Sequence, residues 1–138
     1  MEKCILGLDP GLATLGFGVI CANVKESKRD RTLDYGVIKT SASIKIEKRL
    51  QIIYEDLQSL ITKWSPSLAV IEKLFFYRMT NILLIAQARG VLILVLAQNN
   101  IYCWLTISYP LAHDLTTCVA RRCLSSYSIA RVGMYWHI

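Results

Sequence analysis

The feature that most restricts the fold is a short run, Leu68-Ala69-Val70-Ile71, that stays apolar throughout and closes on Glu72. A strand with one wet face alternates apolar and polar residues. An unbroken apolar run of strand length therefore points to a strand covered on both faces, the habit of parallel sheets flanked by helices. The flanking sequence agrees. Before the run, Ile46, Leu50, Ile53, Leu57, Leu60 and Trp64 recur at steps of three and four, with Lys48, Arg49, Glu55, Asp56 and Lys63 between them. This spacing predicts an amphipathic helix that ends ahead of Pro66. After the run, a second helix is expected from about Asn81 to Gln98, apolar on nearly all sides from Val91 onward and so covered on more than one side.

Upstream, Lys-Cys-Ile-Leu-Gly-Leu at 3–8 reads as a strand that Asp9-Pro10-Gly11 breaks, which leaves Asp9 at a strand end. Residues 15–22 and 33–40 read as a second and third strand, with the charged stretch Lys25 to Arg31 as the turn between them. Three strands joined by short links suggest an antiparallel meander. The order strand, strand, strand, helix, strand, helix opens an α/β fold with a mixed sheet. At 138 residues, 54% hydrophobic and 19% charged, the chain suits one domain with one core and is unlike a disordered segment. The run Ile82 to Ala97 falls short of the roughly 20 apolar residues a membrane crossing needs and holds Gln87, Arg89 and Gly90, so a buried helix is expected.

A net charge of +6, from 16 Lys and Arg against 10 Asp and Glu, favours a polyanionic partner. The five cysteines form no C-x-x-C pair, and no basic-then-apolar leader precedes Ile5. A cytoplasmic chain with reduced thiols is the expectation.

Asp9 and Glu72 each close a strand. If those strands are neighbours, their backbones lie about 4.8 Å apart and both carboxylates reach one small volume, which suits a hard divalent cation such as Mg²⁺. Paired metal ions in such a site stabilise the attacking and leaving oxygens of phosphodiester cleavage. A plainer reading stands beside this one: Asp9 caps the Pro-Gly turn and Glu72 is a solvated residue past its strand. On these two positions alone, both readings hold.

Ile5-Leu6-Gly7-Leu8-Asp9-Pro10-Gly11 followed by Thr14-Leu15-Gly16-Phe17-Gly18-Val19-Ile20 resembles the first two strands of RuvC proteins, Holliday-junction resolvases of the RNase H-like fold. Tyr35-Gly36-Val37-Ile38, Arg49-Leu50 with Ile53-Tyr54, Ile71-Glu72-Lys73-Leu74-Phe75 and Gln87-Ala88-Arg89-Gly90 follow in the family's order, so the likeness covers roughly residues 3–100. It implies a mixed five-stranded sheet flanked by helices, with Asp9 and Glu72 as catalytic, metal-binding carboxylates. The cofactor it implies is Mg²⁺, with Mn²⁺ able to substitute. Phe75 would probe the DNA junction as an apolar wedge between unstacked bases, with a place in the core as its alternative. The helix around Asn81–Gln98 would form a homodimer, whose two-fold symmetry suits a four-way junction. Junction branch-migration proteins are further partners implied by the resemblance, and no membrane is.

From about Ile101 the character changes. The last 38 residues hold three of the five Cys, both His, two of the three Trp and a single acid, Asp114. The family's further acids on a C-terminal helix have no counterpart here, and Asp114 receives no catalytic role. We therefore expect a nuclease core over 1–100 and a divergent, poorly ordered tail over 101–138, as in a truncated or frame-shifted product. Weak or absent cleavage is expected with it.

Three functions follow from different features. The first is a structure-selective endonuclease that resolves four-way junctions in recombination and repair. The second is an inactive RNase H-like module that holds branched DNA through Lys73, Arg78 and other basic residues. The third takes Gly7-Leu8-Asp9-Pro10-Gly11 with Thr14 as a phosphate loop of the actin and sugar-kinase group, for which the chain is too short.

Overall fold

The computed structural model of the chain describes residues 2–23, 31–72 and 82–106. They form strands β1 (Glu2–Asp9), β2 (Thr14–Asn23) and β3 (Arg31–Lys39), helix α1 (Ile46–Trp64), strand β4 (Leu68–Glu72), helix α2 (Ile82–Gln98) and strand β5 (Tyr102–Thr106). The sheet order is β3-β2-β1-β4-β5. β1 and β2 pair antiparallel, as do β2 and β3, whereas β4 runs parallel to β1 and β5 parallel to β4. This is the mixed five-stranded sheet expected from the sequence.

The turn after β1 depends on a glycine. A Cβ on Gly11 would lie 2.1 Å from the Thr14 carbonyl oxygen, a distance no side chain tolerates. Hence the Pro-Gly pair does more than end β1, because it lets β2 return against it with Asp9 opposite Gly16.

The unbroken run in β4 is explained by its position. Ala69 and Ile71 join Leu6, Leu8, Leu15 and Val19 on the sheet face that packs against Ile53, Leu57 and Ile61 of α1 and Ala88, Leu92, Val95 and Leu96 of α2. Val70 belongs to a separate cluster with Ile5, Ile20 and Ala22 on the opposite face. Alternation fails in β4 because both of its faces are buried. Leu57 and Leu92 are fully buried, and each such side chain contributes about 1.5–3 kcal/mol.

α1 ends where Ser65 turns left-handed, with φ of 45°, and donates its N–H to the Ile61 carbonyl at 2.8 Å. Asp34 of β3 clasps this end, accepting from Lys63 Nζ at 2.9 Å and Trp64 Nε1 at 3.0 Å. The far end of α2 is tied to α1 by a reciprocal amide pair: Gln58 Nε2 donates to Asn99 Oδ1 at 3.1 Å and Asn99 Nδ2 to Gln58 Oε1 at 2.8 Å.

The elements differ from the sequence reading at two places. β3 begins at Arg31, inside the stretch that the charge pattern predicts as turn. The sheet also runs on to Thr106, past the boundary at residue 100, since Tyr102–Thr106 pair with Leu68–Glu72. Tyr102 and Trp104 are exposed and Cys103 between them is half-buried, so these three residues of the five-residue strand β5 alternate. Five residues are too few to show that period inside a segment of mixed composition. No described helix is long and apolar enough to cross a membrane.

Candidate active site at the carboxyl ends of β1 and β4

β1 and β4 are hydrogen-bonded neighbours, with Ile5 opposite Leu68 and Leu8 opposite Ile71. Asp9 and Glu72 are the next residues on each strand, so they stand side by side at the carboxyl ends of two parallel strands. Opposed residues of a parallel pair share a face, and the strands lie about 4.8 Å apart. Both acids are half-buried. Crevices outside the carboxyl ends of parallel strands are where open α/β sheets bind ligands.

The surroundings suit a charged ligand. Asp9 is opposite Gly16 and Gly7 is opposite Gly18 on β2, so no side chain from these positions fills the space beside the acids. Two carboxylates about 5 Å apart repel by roughly 3 kcal/mol at an effective dielectric of about 20, a cost that a cation removes. An all-oxygen pair fits a hard divalent ion. Among the described residues no group of three or more His, Cys, Asp and Glu is placed to hold a metal, so the acids fit as a pair of ligands and not as a full shell.

The turn that carries Asp9 is held from behind. Thr40 is a buried polar residue whose hydroxyl donates to the Leu12 carbonyl and whose N–H donates to the Ala13 carbonyl at 3.0 Å. The same hydroxyl accepts from Arg49 Nε at 2.9 Å. The sequence reading gave Thr40 no part beyond ending a strand and placed Arg49 on the polar side of α1. No local signal marks a contact between residues 28 positions apart, as Thr40 and Leu12 are.

The thiols lie away from this chemistry. Cys4 faces Cys21 across the β1–β2 pair, and burial, helped by that neighbour, raises its pKa. Burial also raises the pKa of Cys103, against the opposing pull of Arg89. Thiols shifted upward stay protonated and make poor nucleophiles.

Of the remaining predicted site residues, Lys73, Phe75 and Arg78 lie outside the described residues, as do Asn81 and Asp114. Within Gln87-Ala88-Arg89-Gly90, Ala88 is buried in the core, Gly90 is exposed, and Arg89 Nε is buried without a hydrogen-bond partner among the described residues.

A family model described as crossover junction endodeoxyribonuclease RuvC matches residues 5–109. The protein of that name from Gloeobacter violaceus is 50% identical over 97 residues, which are 70% of this chain and 55% of the relative. The chain thus spans a little over half the length of that curated relative. Among solved structures, Thermus thermophilus RuvC superposes with a TM-score of 0.70 at 24% identity, over 75% of this chain and 63% of that one. The same protein in complex with a Holliday junction substrate gives 0.67 at 24% identity, over 76% and 64%. At that identity the structural likeness speaks for the fold, which is RNase H-like.

Proposed function

The chain belongs to the RuvC family, and from that premise we propose that it carries the metal-binding acids of a structure-selective endonuclease acting on four-way DNA junctions in recombination and repair. The observation that carries this reading is the β1–β4 register, which brings Asp9 and Glu72 to adjacent strand ends. In this role both carboxylates would hold Mg²⁺, or Mn²⁺ in its place. Bound there, the cation would supply Lewis-acid polarisation of a phosphodiester and activation of water. The protein's part is positional: Pro10-Gly11 sets the direction in which the chain leaves Asp9, and the neighbouring glycines keep the space beside it clear.

The net charge of +6 supports a DNA partner. Lys73 and Arg78 are assigned to backbone phosphates and Phe75 to the junction itself, on the family resemblance. Branch-migration proteins are assigned as partners on the same ground, and the cytoplasm is its compartment.

The second copy of a homodimer docks on α2. Leu83, Ala86, Gly90, Ile93 and Ala97 recur at steps of three and four on the exposed side of that helix, the spacing of a helix–helix seam. Leu83 is 71% exposed and Leu94 beside the seam 52%, a large apolar surface for an isolated chain. Gly90 supports the same reading. A glycine within a helix costs about 1 kcal/mol relative to alanine, and a Cβ there would meet nothing within 4 Å of its own chain. The close approach of a second helix gives the glycine a use.

The test is junction cleavage by the full chain with Mg²⁺ or Mn²⁺, read together with Mn²⁺ binding by electron paramagnetic resonance. Asp9→Asn is expected to weaken Mn²⁺ binding ~10-fold or more and to abolish any weak cleavage that the chain shows. Cleavage and Mn²⁺ affinity equal to the parent's would overturn the assignment.

A further inference from the structure

A groove of about 520 Å³ lies behind the Asp9 turn, walled by Gly11 and Thr14 of the turn, Ala42 of the β3–α1 connection, Arg49 of α1, and Leu84 and Ile85 at the start of α2. Among the described residues of this wall, Arg49 is the cation and the rest are neutral. Its position is set from below, because Nε donates to the Thr40 hydroxyl at 2.9 Å and Thr40 is itself bonded twice to the turn, through the Leu12 and Ala13 carbonyls. The guanidinium is therefore held by the turn that carries Asp9.

Arg49 is half-buried, and among the described residues no carboxylate forms a salt bridge with it. Its bonded partner is a neutral hydroxyl. A half-buried cation bonded to a neutral hydroxyl gains more from an anion than a fully solvated one does. The other contributor to the wall has the same sign: among the described residues α2 starts at Ile82 and carries no acid in its first turn to offset the positive end of the helix. Both features ask for an anion, and the planar fork of a guanidinium matches two oxygens of one phosphate.

From these observations we propose that the groove is a subsite for a backbone phosphate of the bound DNA strand, with Arg49 as its ligand. The inference rests on the reading of the chain as a protein that binds branched DNA. Gly11 is two residues from Asp9, so its Cα lies within about 7 Å of the acid's. DNA carries one charge per roughly 3.4 Å of axis on each strand. A phosphate in the groove therefore lies within a few nucleotides of the bond held at Asp9. The subsite fixes the strand's register on the active site and reads no base. Thr40 is a positioning residue that aims the guanidinium.

The experiment uses the full chain and a four-way DNA junction in metal-free buffer, with affinity measured across a salt series. Arg49→Met, which keeps the aliphatic stem, is expected to weaken binding ~10-fold and to reduce the slope of log affinity against log salt by about 1. Arg49→Lys, which keeps the charge, is expected to retain the slope. A merely structural role would lower the melting temperature without moving the slope, and that outcome overturns the subsite. So does Arg49→Met binding with the parent's affinity and slope. A parent chain that binds no junction at all sinks the DNA reading itself, which separates the two failures. Should Arg49→Met fail to melt cooperatively, hydrogen exchange on the parent decides. Junction binding is expected to protect amides 11–14 and 84–85, and protection elsewhere with none there overturns the proposal.

Discussion

α1 and α2 cover the same sheet face, yet their outer sides are opposites. Every exposed residue of α1 is polar, including Glu47, Lys48, Gln51, Glu55, Asp56, Ser59 and Thr62. Some of them bond along the helix, as Gln51 does to Glu55 at 2.7 Å. The exposed side of α2 offers Leu83, Leu84, Ile93 and Leu94. One chain in water accounts for the first pattern completely, since the buried stripe meets the sheet and the rest meets solvent. It accounts for only half of the second. Inward, Ala88, Leu92, Val95 and Leu96 do for α2 what Ile53, Leu57 and Ile61 do for α1. The outward apolar surface of α2 has no counterpart within the described residues, and the proposed second copy is what gives it one.

This comparison can be broken most forcefully at the core. Leu57→Ala and Leu92→Ala are expected to destabilise the chain by similar amounts, about 2–5 kcal/mol each, because both side chains are fully buried on the same face. Urea unfolding checks it, and a cost below about 1 kcal/mol for Leu92→Ala would remove α2 from the core. A sharper contrast comes from the outer sides. Leu94→Glu is expected to reduce the sedimenting mass to a single chain while the circular dichroism spectrum is kept. Glu55→Ala on the outer side of α1 is expected to leave the mass unchanged. If Leu94→Glu sediments as the parent does, the α2 seam is not the interface.

The smallest expected effect is at the clasp between β3 and α1. Hydrogen bonding from Lys63 holds the Asp34 carboxyl below its ordinary pKa, against an opposing desolvation and with further help from Trp64. A group whose pKa is lowered on folding stabilises the fold above its unfolded value and loses that contribution as pH falls through the folded one. Asp34→Asn keeps an acceptor for Trp64 and gives up the ion pair, in which Lys63 is 61% exposed, so the cost is less than about 1 kcal/mol at pH 7. Thermal melts of the two proteins are expected to differ slightly at pH 7 and to converge below about pH 4. A difference that persists unchanged in acid would assign the loss to shape and not to charge.

How much of this was legible beforehand varied with how local the cause is. The α1 stripe, the two-sided burial of β4 and the break at Asp9-Pro10-Gly11 are properties of neighbouring residues, and each is found where the pattern places it. β5 escaped because it spans only Tyr102–Thr106, within a segment whose composition has already shifted. The Leu12–Thr40–Arg49 chain escaped for a different reason. It joins a turn, a strand end and a helix through side-chain bonds that no period encodes.

Taken alone, the residues determined the strands and helices from β1 to α2, which of their sides avoid water, and that Asp9 and Glu72 each end a strand. Those outcomes follow from the 3.6 and 2.0 periodicities and from what Pro and Gly forbid. That the two acids stand beside one another was decided only when β4 paired in parallel with β1, because hydrogen-bonded register is a relation between distant segments. The same holds for the groove at Arg49, whose walls come from four stretches of chain that only the packed sheet and helices bring together.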